Sequence, residues 1–195
     1  MPAPVPAGPA QAAPALPPPA ISTAGVLWML GSLTSFIGMA VASRQLSTAM
    51  PIVQILVLRS LVGLAVAALL APRLWPELRR HRDFPLHLAR NIVHFAAQYA
   101  WTLGVALLPL AQVFALEFTM PIWVALFAWA ALGERVTRIR IAAIAVSFLG
   151  VLIVLRPGAG MINPAALLVL ASAAGYGASA VFVKRLTRSA SPAVI

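Results

Sequence analysis

Long apolar segments separated by short polar connections fill the chain after residue 20. Each segment approaches the roughly 20 residues that an α-helix needs to cross about 30 Å of hydrocarbon. Prolines stand at most of the segment boundaries, where helices tend to begin or end. The pattern therefore predicts six membrane-spanning helices, over residues 22–42, 51–71, 87–106, 109–132, 139–155 and 163–183.

The composition supports an integral membrane protein. Hydrophobic residues make up 62% of the 195 residues and charged residues only 9%, whereas soluble domains carry about 25% charged residues. A soluble globule of this size could not cover its surface with so few polar side chains. We predict an all-α, polytopic helix bundle whose main partner is the lipid bilayer.

Basic residues are distributed unevenly between the two predicted sides of the membrane. Eleven Lys and Arg residues fall on one side and two on the other, with Arg59 inside the membrane. The side richer in Lys and Arg normally faces the cytoplasm. We therefore predict a multi-pass protein of the cell membrane with a cytoplasmic N-terminus. The bias accounts for most of the net charge of +10, and no basic, aromatic surface is left for nucleic acid.

The chain divides into three predicted parts. Residues 1–20 hold eight of the seventeen prolines and no charge, a composition typical of a disordered tail. Residues 158–195 weakly repeat the beginning of residues 21–157 at a spacing of 141, which superimposes Arg44 on Arg185. Five crossings separate the two copies, so the second would lie inverted in the membrane, as in many secondary transporters.

Charged and polar groups inside the apolar segments are the candidate binding residues, because charges in hydrocarbon are costly and usually face a bundle interior or a wet cavity. Arg59 and Glu117 each lie eight residues from the predicted outer end of their helix, about 12 Å deep at 1.5 Å per residue. Gln98 lies at a similar depth. One hypothesis has Glu117 bind a proton or a cationic group and Arg59 an anionic group. The alternative is a permanent ion pair that only holds the helices together.

Polar residues recur at helical spacing along the third segment. This predicted face consists of Asn91, His94, Gln98 and Thr102, with Trp101 nearby. Polar faces of membrane helices turn away from lipid, so the face predicts one wall of a substrate path, with interhelical hydrogen bonding as the alternative. His94 is a candidate proton relay, and Tyr176 in the sixth segment is a candidate substrate contact.

Pro121 lies deep inside an apolar segment. It cannot donate the backbone hydrogen bond that a helix would send to the carbonyl group of Glu117. The sequence therefore predicts a helix kink beside the membrane carboxylate, and a kink that serves packing alone is the alternative. Irregular backbone at membrane depth is tolerated where it is buried in protein or lines a wet cavity.

No pattern of catalytic or cofactor-binding residues is recognisable. The chain has no cysteine, and its acidic and histidine residues show no metal-ligand spacing. A Gly-rich phosphate loop of the Walker type is also missing. We therefore expect neither an enzyme nor a bound cofactor or metal.

Residues 116–137 resemble the end of an EamA-type repeat in the drug/metabolite transporter superfamily. The matching elements are Thr119, Pro121, the apolar helix, Gly133-Glu134-Arg135 and a following Gly150-Val151 pair, together with Arg59 in the second segment. The resemblance implies ten helices in two inverted five-helix repeats. It covers about residues 22–156 as one repeat and 163–195 as the opening of another. Glu134 in the matched motif is expected to pair with Arg135, with Arg138 or with a neighbouring loop.

These observations predict a secondary transporter, or the N-terminal part of one, for a small organic metabolite or drug. The resemblance favours export and leaves proton coupling open, as it does assembly into a homodimer. Roughly four helices of the implied ten are missing from the chain. The alternative is therefore a truncated membrane protein or an assembly subunit that does not transport and whose buried charges are structural.

Overall fold

The computed structural model of the protein describes residues 22–80, 83–134, 137–155, 163–191 and 194–195. All regular elements within these ranges are α-helices, which confirms the predicted all-α class. The helices are α1 (Thr23–Leu46), α2 (Ile52–Arg80), α3 (Phe84–Leu107), α4 (Leu110–Glu117), α5 (Met120–Leu132), α6 (Arg138–Leu155) and α7 (Pro164–Leu186). The predicted disordered tail, residues 1–20, lies outside the described residues.

Each of the six predicted membrane segments is helical. Four stretches of the described chain are long and apolar enough to cross a membrane, namely 23–46, 52–69, 110–132 and 164–186. Helix α6 contains a shorter apolar stretch, Ile141–Ile153. Helix α3 has the length of a spanning helix, but its His, Arg, Asn and Gln side chains lower its hydropathy. A polytopic membrane bundle follows from these lengths and compositions.

The connection between the second and third segments is shorter than the sequence suggested. The predicted segments end at residue 71 and resume at residue 87, whereas α2 continues to Arg80 and α3 begins at Phe84. The apolar stretch of α2 ends at Leu69, close to the predicted end of the membrane segment, and the helix itself runs past Pro72. Leu, Arg and Glu, which favour helices, dominate the stretch that follows this proline and sustain the helix beyond it. Pro85 stands in the first turn of α3, where its missing N–H has no cost.

The fourth predicted segment is divided into two helices. Helix α4 ends at Glu117 and α5 begins at Met120, with a turn at Phe118 and Thr119 between them. Pro121 lies in the first turn of α5. The Thr119 hydroxyl donates to the carbonyl oxygen of Leu116 at 2.6 Å, so a buried side chain takes part in hydrogen bonding at the interruption.

The chain forms two compact units, one up to Ile37 and the other from Gly38 onward. In the first unit, the N–H of Gly25 donates to the hydroxyl oxygen of Ser22 at 3.1 Å, near the start of α1. In the second unit, α7 is the central helix and packs against α3, α4 and α5. Helix α4 also packs on α6, and α2 lies beside α3.

Small residues set the distance between α7 and α3. A methyl group added to Gly175 would lie 2.8 Å from the Cβ atom of Ala97. One added to Gly104 would collide with the side chain of Val169. The contact residues advance along α3 as they recede along α7, so the two helices run antiparallel. Close approach through small residues is the usual basis of helix association in membranes, where no hydrophobic driving force acts between helices.

The contact between α7 and α5 is equally tight. A methyl group added to Gly177 would lie 2.8 Å from the Cβ atom of Trp123 and 3.1 Å from the backbone nitrogen of Val124. Because backbone atoms form part of this contact, α5 could not make room by changing a side-chain rotamer. Gly177 therefore fixes the approach of α7 to α5.

Polar contacts tie the helix ends together at both ends of the second unit. The Arg44 guanidinium donates to the carbonyl oxygen of Leu108 at 2.6 Å, which links the ends of α1 and α3. At the other end of α3, the Ser189 hydroxyl donates to Asp83 Oδ2 at 2.7 Å. If the six predicted segments cross the membrane in alternating directions, α1 and α3 end on one side, and α3 begins on the side where α7 ends. Each of the two links joins helix ends that lie on the same side.

The turns that follow α1 and α7 have the same hydrogen-bond pattern. The carbonyl oxygen of Leu46 accepts the N–H groups of the residues three and four positions later, both at 3.0 Å, and that of Leu186 does the same at 2.9 Å. The two turns lie 140 positions apart, and the repeat at a spacing of 141 stays a prediction.

We predict that Gly177→Ala destabilises the protein by about 1–3 kcal/mol, because the added methyl overpacks a contact with the backbone of α5. Thermal unfolding of the purified protein in detergent, followed by circular dichroism, measures the effect. Gly63→Ala on α2 is the matched control, since nothing lies within 4 Å of the added methyl. Equal unfolding temperatures for Gly177→Ala and the control would contradict the close contact.

Candidate substrate-binding site

The membrane carboxylate of Glu117 is held by an indole group. Trp101 Nε1 on α3 donates to Glu117 Oε2 at 2.6 Å. The Trp101 side chain is fully buried, while Glu117 at the end of α4 is half-buried. A hydrogen bond to a charged acceptor is stronger than one between neutral groups, and in hydrocarbon no water competes with it. Trp101 therefore contacts Glu117 from within the protein.

The helix break lies directly beside this carboxylate. Glu117 is the last residue of α4, and the turn at Phe118 and Thr119 follows it. Thr119 is buried and Phe118 is exposed. One side of the turn therefore faces the protein interior, and the other side faces outward. A carboxylate at a helix interruption can change its orientation with less disturbance of the backbone than one in a continuous helix.

A second polar cluster joins α3 to α7. The rings of His94 and Tyr176 meet edge to face, with their centroids 5.3 Å apart. Ser179 Oγ lies 3.4 Å from His94 Nδ1, a long hydrogen bond. Ser179 is buried, and the two rings are partly exposed. The sequence analysis singled out His94 and Tyr176 separately, and the structure brings them together.

Arg59 is near this cluster but does not form the ion pair considered in the sequence analysis. Its side chain is exposed on α2, and among the described residues no salt bridge joins it to Glu117. The indole of Trp101 donates a hydrogen bond to this carboxylate and leaves its charge intact.

The remaining polar residues of α3 differ in burial. Asn91 is exposed, and its Oδ1 accepts from Arg90 Nη1 at 3.0 Å. Thr102 is buried and donates its hydroxyl to the backbone carbonyl of Gln98 at 2.8 Å. Gln98 is half-buried. Asn91 lies three residues before His94, on the side toward the charged end of the helix.

Gly133 and Glu134 cap α5. Gly133 has a φ of 67°, a left-handed conformation that favours glycine. Its N–H donates to the carbonyl oxygen of Trp129 at 3.1 Å, and the N–H of Glu134 donates to that of Ala128 at 3.4 Å. The carboxylate of Glu134 pairs with Lys184 of α7 at 2.5 Å. The sequence analysis did not foresee this partner, which lies 50 positions away. Arg135 lies outside the described residues.

Sequence patterns missed two residues of this region. Ser179 stood in a helical series with Tyr176, but small residues in membrane helices usually serve packing, so no site role was assigned to it. Trp123 resembled an ordinary apolar residue, but the structure buries its indole nitrogen, and its Cβ atom and backbone lie against Gly177 of α7. Among the described residues, no group of three or more His, Asp or Glu side chains could hold a metal ion.

Comparison with known proteins connects this arrangement to transporters. Residues 23–156, more than half of the chain, match the EamA-like transporter family. A riboflavin transporter of Rhizobium johnstonii is 40% identical over 109 residues, which are 56% of this chain and 36% of the relative. No solved structure matches the chain.

Two further relatives align over more of the chain. A riboflavin transporter of Brucella anthropi is 29% identical over 169 residues, 86% of this chain and 60% of the relative. An S-adenosylmethionine uptake transporter of Rickettsia bellii is 26% identical over 156 residues, 78% of this chain and 52% of the relative. The chain thus spans less than two thirds of the length of each of these relatives.

We predict a coupling free energy of about 1.5–3 kcal/mol between Trp101 and Glu117, the range for hydrogen bonds to charged groups. Unfolding of Trp101→Phe, Glu117→Ala and the double variant, compared with the unchanged protein in a thermodynamic cycle, measures it. Trp129→Phe on exposed α5 surface, where 58% of Trp129 is accessible, controls for loss of an indole. Strictly additive effects would show that the pair does not stabilise the bundle.

Proposed function

The chain belongs to the EamA-like transporter family, and we propose that it forms the N-terminal part of a secondary transporter for a small, water-soluble metabolite. The observation that carries the proposal is the Glu117 carboxylate, held by Trp101 at a break in a membrane helix. A charged group at this depth is costly. A permanent packing role would be served equally well by an apolar side chain.

The proposed path uses two levels of polar groups. One level consists of Trp101 and Glu117, the last residue of α4. The next level along α3 and α7 consists of His94, Tyr176 and Ser179. In this mechanism Glu117 accepts a proton or contacts the substrate while Trp101 holds its other oxygen. Arg59, Gln98 and Tyr176 contribute polar contacts to the bound molecule, and Asn91 lies at the entrance toward the charged end.

Riboflavin is the substrate to test first. Two relatives are named riboflavin transporters, and the site offers aromatic rings, hydroxyl groups and one carboxylate, which suit a neutral ring bearing a polyol. S-adenosylmethionine is the second candidate, because its sulfonium and ammonium groups would be attracted to Glu117. The sequence analysis favoured export, whereas the name of the Rickettsia bellii relative specifies uptake. We therefore propose uptake as the direction to measure first.

The second hypothesis is an assembly subunit that does not transport by itself. The chain spans less than two thirds of the length of its relatives, so the experiment below tests transport by this chain itself. In the proposed architecture, α7 is the first helix of an inverted second repeat, and the turn after it has the same hydrogen-bond pattern as the turn after α1. The first repeat would comprise residues 21–157, and the second would begin at residue 158. The helices that complete such a bundle would come either from a second copy of the chain, in a homodimer, or from further helices of a longer protein.

We predict that Glu117→Gln abolishes proton-coupled accumulation of radiolabelled riboflavin by cells producing the protein. Glutamine keeps an oxygen that accepts from Trp101 but cannot carry a proton or a charge at neutral pH. Glu134→Gln is the matched control, since it makes the same chemical change in the partly exposed ion pair with Lys184, where pairs contribute little. Accumulation should remain within about twofold of the unchanged protein in this control.

The same assay separates the two hypotheses. Glu117-dependent accumulation by the 195-residue chain would establish transport without further helices. Accumulation that requires a C-terminal extension, together with normal membrane insertion of the chain, would support the assembly hypothesis. Equal accumulation by unchanged protein and Glu117→Gln would contradict the coupling role.

We predict that Thr48, in the turn after α1, faces the outside and that Arg188, after α7, faces the cytoplasm. The chain has no cysteine, so Thr48→Cys and Arg188→Cys each provide one reactive thiol at an exposed position. An impermeant maleimide should label intact cells at position 48 and label position 188 only after permeabilisation. The reverse result would contradict the proposed cytoplasmic N-terminus.

A further inference from the structure

Trp123 carries a polar group without a hydrogen-bond partner. Its indole Nε1 is buried, and no acceptor for it is found in the described parts of the chain. Buried N–H groups are nearly always paired in native proteins, and buried tryptophans usually find an acceptor for theirs. An unpaired donor within a bundle therefore requires an explanation from its surroundings.

Packing fixes the position of this donor. Gly177 of α7 lies against the Cβ atom and backbone of Trp123. On the other side, the indole stacks on Phe127 of the same helix, with ring centroids 6.1 Å apart and an interplanar angle of 26°. A side chain held in this way cannot readily turn its N–H toward a distant acceptor. An acceptor for this N–H therefore has to be supplied by a molecule that binds beside Trp123.

The location connects Trp123 to the site described above. Gly177 directly follows Tyr176, whose ring contacts His94, and it is two residues before Ser179. Trp123 thus lies on α5 at the level of the α3–α7 polar cluster. Its surroundings supply flat aromatic surface and one directed donor, whereas the carboxylate of Glu117 already accepts from a different tryptophan, Trp101.

We propose that the Trp123 indole N–H donates to an edge acceptor of the transported molecule, such as a ring carbonyl, while Phe127, whose ring lies at 26° to the indole, packs against the ring of that molecule. The inference rests on the proposed function and adds to it a substrate class, planar heteroaromatic compounds with acceptor atoms at the ring edge. Planar rings stack on aromatic side chains with little regard to their substituents. The N–H therefore supplies the selectivity.

Riboflavin and proflavine distinguish the donor from the stacking surface. Both are planar and fluorescent, but the riboflavin ring carries carbonyl acceptors, whereas protonated proflavine presents only donors at its edge. Trp123→Phe keeps an aromatic ring and removes the N–H. We expect it to weaken riboflavin binding by about three- to tenfold, the effect of one neutral hydrogen bond, and to leave proflavine binding unchanged. Trp129→Phe, at an exposed position of the same helix, should alter neither.

A measurement on the unchanged protein avoids dependence on how the variant folds. The chain contains five tryptophans, so ¹⁵N-labelled indole groups give few signals, and the one missing in Trp123→Phe belongs to Trp123. Its indole proton should move downfield when riboflavin is added and stay in place with proflavine. An unmoved signal at saturating riboflavin would overturn the inference, as would equal riboflavin affinity in Trp123→Phe.

Failure of the inference and failure of the proposed function give different results. If the unchanged protein does not bind riboflavin but transports another solute in a Glu117-dependent manner, the substrate class is wrong and the transport function stands. If riboflavin binds with the expected Trp123 shift but is not transported, the site is correct and the transport function of the chain fails.

Discussion

Close contact of α7 with α3 and α5 is the constraint on which the rest of the described structure depends. Within lipid, apolar surface gains nothing by leaving its surroundings, so helices associate through tight packing and hydrogen bonds. Gly175 and Gly177 bring the helix backbones together. That proximity places His94 beside Tyr176 and Lys184 beside Glu134. Without the glycines, the polar groups of α3 and α7 would lie too far apart to pair.

The break between α4 and α5 affects how the membrane carboxylate of Glu117 is held. A continuous helix presents each side chain in a fixed direction, and a carboxylate within it must be compensated where it stands. Here the helix stops at Glu117 and resumes at Met120, and the indole of Trp101 on another helix donates a hydrogen bond to the carboxylate. A neutral donor leaves the charge of the carboxylate intact. A permanent bond to arginine would have cancelled it.

Hydropathy alone predicted the six helical segments, because the length of a bilayer crossing and the need to pair every backbone group leave few other structures. Segment ends were less predictable. Pro72 stands inside α2, where helix-forming neighbours outweigh the local effect of the proline. The repeat suggested by the sequence stays a prediction, and the similar turns after α1 and α7 lie 140 positions apart rather than 141.

Partners within the candidate site were the hardest to predict from sequence. Depth counting placed Arg59, Gln98 and Glu117 at one level, because helical rise determines height. It does not determine which way a side chain points, or how closely a neighbouring helix approaches. The partner of Glu117 is therefore Trp101, one turn from Gln98, and Arg59 is exposed on α2. Trp123 carried no signal, since an indole in an apolar run looks like any other large hydrophobic residue.

The order of helices along the chain has a consequence for biosynthesis. Helix α3 carries the polar side chains that α7 covers, yet α7 ends 79 residues after α3. At roughly 5–20 residues per second, the ribosome completes α7 about 4–16 s after α3. During that interval α3 lacks its main partner in the lipid. A translocation channel or an insertion chaperone that shelters polar helices would have to retain α3 until α7 arrives.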